Sequence, residues 1–89
     1  MYNIVIHKKA KKFLKLFPKE EQKLIHTKIN LLKENPFNHK ELDIKKLRGV
    51  NYVFRLRIGK IRIVYQVLKN ELLILIIAAK TRGSIYKKR

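Results

Sequence analysis

Residues Phe54 to Tyr65, FRLRIGKIRIVY, alternate apolar and polar side chains on both sides of a single glycine. Period-two alternation marks a strand with one buried face. Gly59-Lys60 suits a type II′ hairpin turn, which takes glycine at its first central position. A two-residue turn then dictates the pairing by counting. Ile58 opposes Ile61, Leu56 opposes Ile63, Phe54 opposes Tyr65 and Tyr52 opposes Val67, and this face is the core. The other face receives Arg57 opposite Arg62, Arg55 opposite Val64 and Val53 opposite Gln66. A slip of one residue would drive arginines into the core, so the register is tightly specified. Like charges directly opposed on a sheet cost roughly 0.2–1 kcal/mol, and the chain places two of them there.

The remaining elements follow from spacing. Tyr2 to Ile6 reads as a short strand with Tyr2, Ile4 and Ile6 on one face. Ala10, Phe13, Leu14 and Phe17 fall at helical spacing and form one apolar stripe on a lysine-coated helix. Pro18 suits the first turn of a second helix, with Glu20 and Glu21 near the positive end of its dipole. Ile25, Ile29 and Leu32 carry the buried face of that helix, and Asn35-Pro36 ends it. Residues 36–49 read as an irregular connection. Three strands follow, at about 52–58, 61–68 and 71–79, the last two joined by a two-residue turn at Lys69-Asn70. Leu72, Ile74 and Ile76 would join the core, while Leu73, Leu75 and Ile77 would flank the arginines on the open face. The expected fold is α+β in the order β-α-α-β-β-β. A helical hairpin covers one face of a small, mainly antiparallel sheet, in one domain spanning residues 1–89.

Charge narrows the class of partner. The chain carries 23 Lys and Arg against 6 Asp and Glu, a net charge of +17. The excess is concentrated from Lys45 onward, where 13 basic residues face Glu71 alone. Such a field attracts polyanions, nucleic acid first and an acidic protein second. There is no cysteine, which excludes disulfides and thiolate metal sites and fits a reducing cytoplasm. The longest apolar run, Leu72 to Ala79, is far short of the roughly 20 residues that span a bilayer. No signal peptide and no membrane association are expected.

The open face therefore holds Arg55, Arg57 and Arg62 among aliphatic neighbours. Planar guanidinium groups with forked donors match phosphate oxygens. The ending KTRGSIYKKR adds Lys80, Arg82, Tyr86, Lys87, Lys88 and Arg89, and an aromatic among cations can stack on an unpaired base.

Assembled in this order, the motifs resemble those of the RelE toxins of the RelE/ParE superfamily. The matching stretches are Lys46-Leu47-Arg48-Gly49, Phe54-Arg55-Leu56-Arg57, Arg62-Ile63-Val64-Tyr65-Gln66-Val67, Lys80-Thr81-Arg82 and Ser84-Ile85-Tyr86, and with the helical hairpin they cover nearly the whole chain. The resemblance implies a toxin that cuts messenger RNA in the ribosomal A site, without metal or cofactor, through attack by a ribose 2′-OH. It implies that Arg62 stabilises the scissile phosphate, that Arg55 and Arg57 neutralise phosphate and leaving group, and that Tyr86 stacks on or orients the nucleotide. Lys80 and Arg82 share the role of the upstream family arginines. Lys45, Lys46, Arg48, Lys60, Lys87, Lys88 and Arg89 would contact RNA. The implied partners are an acidic, RelB-like antitoxin, the 70S-type ribosome with its message, and operator DNA only through the antitoxin complex.

One role stays empty at this level. Arginine cannot readily accept a proton, and His7, His26 and His39 all lie outside the cationic strands and tail. Three other activities remain open: gyrase inhibition as in the ParE branch, non-catalytic binding of RNA or ribosome, and a degenerate toxin kept as a corepressor.

Overall fold

The computed structural model describes residues 1–81. The chain runs β1 (Asn3–Ile6), α1 (Lys8–Leu14), α2 (Lys19–Leu32), β2 (Asp43–Lys46), β3 (Val53–Ile58), β4 (Ile61–Leu68) and β5 (Leu73–Thr81). The five strands form one sheet in the order β1-β5-β4-β3-β2, with β1 parallel to β5 and every other pair antiparallel. The α+β class and the helices on one face of a mainly antiparallel sheet are as expected. No helix among the described residues is long and apolar enough to cross a membrane.

The β3–β4 hairpin pairs in the register that the glycine turn requires, from Val53 opposite Gln66 to Ile58 opposite Ile61. Gly59 has φ of +58° while Lys60 keeps a negative φ, the type II′ pattern. A methyl group at Gly59 would touch nothing within 4 Å, so backbone conformation, not space, selects glycine there.

The core lies between this sheet and the helices. Leu56, Ile63, Tyr65, Ile74 and Ile76 are fully buried, with Ala10, Leu14, Ile25, Ile29 and Leu32 packed from the helix side. Gln22 of α2 donates from its side-chain amide to the carbonyls of Phe17 and Lys15, at 2.7 and 3.2 Å, satisfying the turn between the helices. Helix α1 stops at Leu14, so Phe17 lies beyond it, half-buried and edge-on to Phe13 at 5.4 Å. Pro18 is the residue before α2, not a member of its first turn.

Four further expectations give way. Residues 36–49 are not wholly irregular, because Asp43–Lys46 forms an edge strand beside β3. Its single apolar residue, Ile44, is too little for a periodic signal, and charged edge strands resist aggregation. Lys69-Asn70 is not a two-residue turn. Lys69–Glu71 makes a 3-10 turn and Leu72 follows in the left-handed region at φ +50°, 49% exposed instead of in the core. Tyr52 likewise leaves the core face, with φ +58° and 44% exposure. Left-handed backbone costs a non-glycine residue roughly 1–2 kcal/mol. Last, a bulge in β5 breaks the alternation: Tyr65 opposes Ile76 but Val64 opposes Ala78, leaving Ile77 over. Every later residue of β5 changes face.

Tyr65 anchors the core to the loop before β2. It stacks on Phe54 at 5.7 Å, and its hydroxyl donates to the Pro36 carbonyl at 2.7 Å. Burial pushes its phenol well above the ordinary value. Tyr65→Phe should therefore lower stability by about 1–2 kcal/mol at neutral pH, since the Pro36 carbonyl loses its donor. The sign at alkaline pH follows from linkage. The unfolded phenol ionises first, near pH 10, so wild-type stability attached to this group is full below that pH and declines above it. Urea melts from pH 8 to 11 should show the two proteins converging as pH rises. A constant gap would refute the assignment.

Candidate functional site

The uncovered face of the sheet is organised in rows set by strand register. One row runs Asp43, Arg57, Arg62, Lys80 across β2, β3, β4 and β5. The next runs Lys45, Arg55, Val64, Ala78. Three cations thus stand side by side on adjacent strands, with Arg55 one row below. Lys80 belongs to this row only because of the bulge at Ile77. With unbroken alternation it would share the face of Ile74 and Ile76. After the bulge Ala79 opposes Ile63 against the core, and Lys80 opposes Arg62 on the open face. Bulges recur where a strand must re-aim a side chain beside a site.

The row ends in a carboxylate. Arg57 donates from Nε to Asp43 Oδ2 at 2.9 Å, and its Nη2 lies 2.9 Å from the same oxygen. Arg55 Nη2 donates to Oδ1 at 3.4 Å. Asp43 therefore offsets part of the repulsion among the opposed arginines before any ligand arrives. Sequence reasoning missed this residue. The only signal was its place as the last acid before the basic half of the chain, and nothing there shows that residue 43 lies beside residue 57.

Two buried side-chain donors remain without partners among the described residues. The Nε atoms of Arg55 and Arg62 are buried and form no hydrogen bond among the described residues. A buried donor without an acceptor is unfavourable in a folded chain, and a bound anion is one way to satisfy it. Arg62 sits on a strand with neighbours on both sides, next to Arg57 and Lys80, so an anion over the row meets donors from three strands.

The other residues expected at the site are more dispersed. Lys45 is exposed next to Arg55 on the open face. Lys46 pairs with Phe54 and so has the phase of the helix-covered face, and Lys60 stands at the hairpin tip. Arg48 is exposed in the loop before β3. Arg82, Tyr86, Lys87, Lys88 and Arg89 lie outside the described residues. Leu73 and Leu75 are half-buried but pair with Leu68 and Gln66, at the other end of β4 from Arg62, so they do not flank the arginines as expected. Ile77, 40% exposed, is the unpaired residue of the bulge. The histidines are engaged elsewhere. His7 Nδ1 accepts from Lys9 N–H at the start of α1, and His39 bridges the Glu41 N–H and Glu34. His26 lines a cleft between the helices. No cluster of three or more His, Cys, Asp or Glu suited to a metal occurs among the described residues.

Comparison with known proteins bears on the family and the fold. A family model described as the ParE toxin of the type II toxin–antitoxin system parDE matches residues 4–86. A relative from Methanocaldococcus jannaschii named "Putative toxin RelE1" is 40% identical over 86 residues, covering 97% of this chain and 96% of its own. The archaeal RelE–RelB complex from Pyrococcus horikoshii OT3 contains a chain that superposes with a TM-score of 0.81 at 30% identity, covering 92% of this chain and 96% of that one. The isolated Escherichia coli RelE toxin shares the fold at a TM-score of 0.77 and 19% identity, covering 93% and 86%. With the match running almost end to end and the same sheet beneath it, this chain belongs to the RelE/ParE family of type II toxin–antitoxin toxins.

Proposed function

We propose that this protein is a ribosome-dependent endoribonuclease that cuts messenger RNA in the A site and so arrests translation. The observation that carries the reading is the cross-strand row Arg57–Arg62–Lys80 with Asp43 at its end. In the proposed reaction the ribose 2′-oxygen bonds to the adjacent phosphorus and the bond to the 5′-oxygen breaks. A 2′,3′-cyclic phosphate and a 5′-hydroxyl result. Arg62 and Arg57 face the non-bridging oxygens, where negative charge grows in the transition state. Lys80 is the row's one ammonium and can release a proton to the departing 5′-oxygen, which a guanidinium cannot. Asp43 is the acceptor that the arginines lack. An incoming phosphate competes for Arg55 and Arg57 and frees the carboxylate to take the 2′-OH proton. Arg82 and Tyr86 keep the family roles of phosphate contact and base stacking.

The partner fits the same surface. An acidic antitoxin segment of the RelB kind would fold onto the +17 chain and keep the site empty. It would carry the toxin to operator DNA, with the whole system in the cytoplasm. The solved RelE–RelB complexes of relatives support that pairing. A second reading, gyrase inhibition, is favoured by the ParE description of the matching family model. Programmed ribosomes with message mapped by primer extension separate the two. Cuts within the A-site codon support the ribonuclease. Intact message together with gyrase-dependent DNA breaks supports the alternative.

A further inference from the structure

Far from the cationic row, at the other end of β4, two strained segments meet. Tyr52 holds a left-handed backbone just before β3, and Leu72 holds another just before β5. A bulky residue at positive φ is an outlier, and such strain persists where the surroundings, or a function, keep it. Here it sets an aromatic ring outside the core. Lys69 Nζ lies 5.4 Å from the ring centroid, within cation–π range. The ring borders an open hollow of about 380 Å³, lined also by Asn51, Gln66, Asn70 and Glu71. Three amides and one carboxylate give donors and acceptors suited to the edge of a base. Gln66 belongs to the open face, four residues from Arg62 along β4 and so roughly 13 Å away.

We infer that Tyr52 is a stacking platform for an unpaired RNA base, a second nucleotide site on the strand whose phosphate lies at Arg62. The inference rests on the ribonuclease reading only in taking RNA as the ligand. An exposed ring beside a cation accepts any base, because every base has a π face, while the amides add hydrogen bonds to its edge. Neither hydrophobic packing nor the β3–β4 ladder requires a tyrosine here. The backbone bond at this position, Val67 N–H to the Tyr52 carbonyl at 2.9 Å, is available to any residue.

The test uses the full chain and a short single-stranded RNA with 2′-O-methyl groups, so that nothing is cut, followed by fluorescence anisotropy across a salt series. Tyr52→Ala should weaken binding about five- to hundredfold with an unchanged slope against log salt, because no phosphate contact is lost. Tyr52→Phe should bind as wild type. Tyr52→Gly removes the left-handed penalty, so it should lose affinity while its melting temperature holds. An RNA series with single abasic sites should contain one position whose removal weakens wild type but not Tyr52→Ala. Arg62→Ala should instead flatten the salt slope. If Tyr52→Ala binds like wild type while Arg62→Ala is weakened, the platform is wrong and the arginine face stands. If no RNA binds at low salt, both are wrong.

Discussion

Arg62→Ala is expected to cut message on programmed ribosomes about 10²–10³ times more slowly than wild type, with a melting temperature equal or higher. The two halves of that result have one cause. Arg62 stands between Arg57 and Lys80 on the open face, and its buried Nε has no acceptor among the described residues. In the free protein the side chain therefore contributes repulsion and an unmet hydrogen bond. Its removal relieves both, while Ile61 and Ile63 keep the strand anchored in the core. When a phosphate occupies the row, the same guanidinium lies where charge develops. Sites of this kind commonly trade stability for function. Arg62→Lys should recover only part of the rate, because an ammonium lacks the planar fork. A variant that cuts at the wild-type rate, or one that unfolds, would contradict the role assigned to Arg62.

Asp43→Asn should separate binding from turnover. Asparagine keeps the shape but gives up the charge held by Arg55 and Arg57. Freed guanidiniums should bind RNA more tightly and with a steeper salt slope. Cleavage on ribosomes should nevertheless fall by roughly 10²–10⁴, the usual worth of a positioned general base. Stability should drop only slightly, by about 1 kcal/mol or less, because the bridge is substantially exposed, and added salt should restore part of it by screening the arginines. The pH profile distinguishes the roles open to this residue. Loss of the acidic limb of the rate profile together with the rate marks Asp43 as the proton acceptor. A slower rate with an unchanged profile would make it a positioning residue for Arg57, and an unchanged rate would exclude both.

Much of the fold was legible without coordinates because its signals are local. Ala10, Leu14, Ile25, Ile29 and Leu32 announce helical faces by spacing, and each is buried. Phe54, Leu56, Ile63 and Tyr65 announce a strand face, and each is buried as well. The errors fall where local signals are weak or where backbone takes an unusual conformation. Tyr52 and Leu72 continue the apolar alternation of their strands, yet both adopt positive φ and turn outward. Alternation cannot register such a reversal.

The candidate site divides in the same way. By itself the amino-acid order determined that Arg55, Arg57 and Arg62 share one face, with Arg57 opposite Arg62. A glycine turn of fixed length and a period of two leave no other register that buries the apolar residues. Only the tertiary structure decided that Asp43 closes the row and that Lys80 joins it. Asp43 reaches Arg57 through a four-residue edge strand whose pairing depends on the free edge of β3, and no periodicity encodes that contact. Lys80 reaches the open face through one extra residue, Ile77, in β5. That bulge reconciles two packing demands, Ile76 against Tyr65 and Ala79 against Ile63, made by residues distant in the chain.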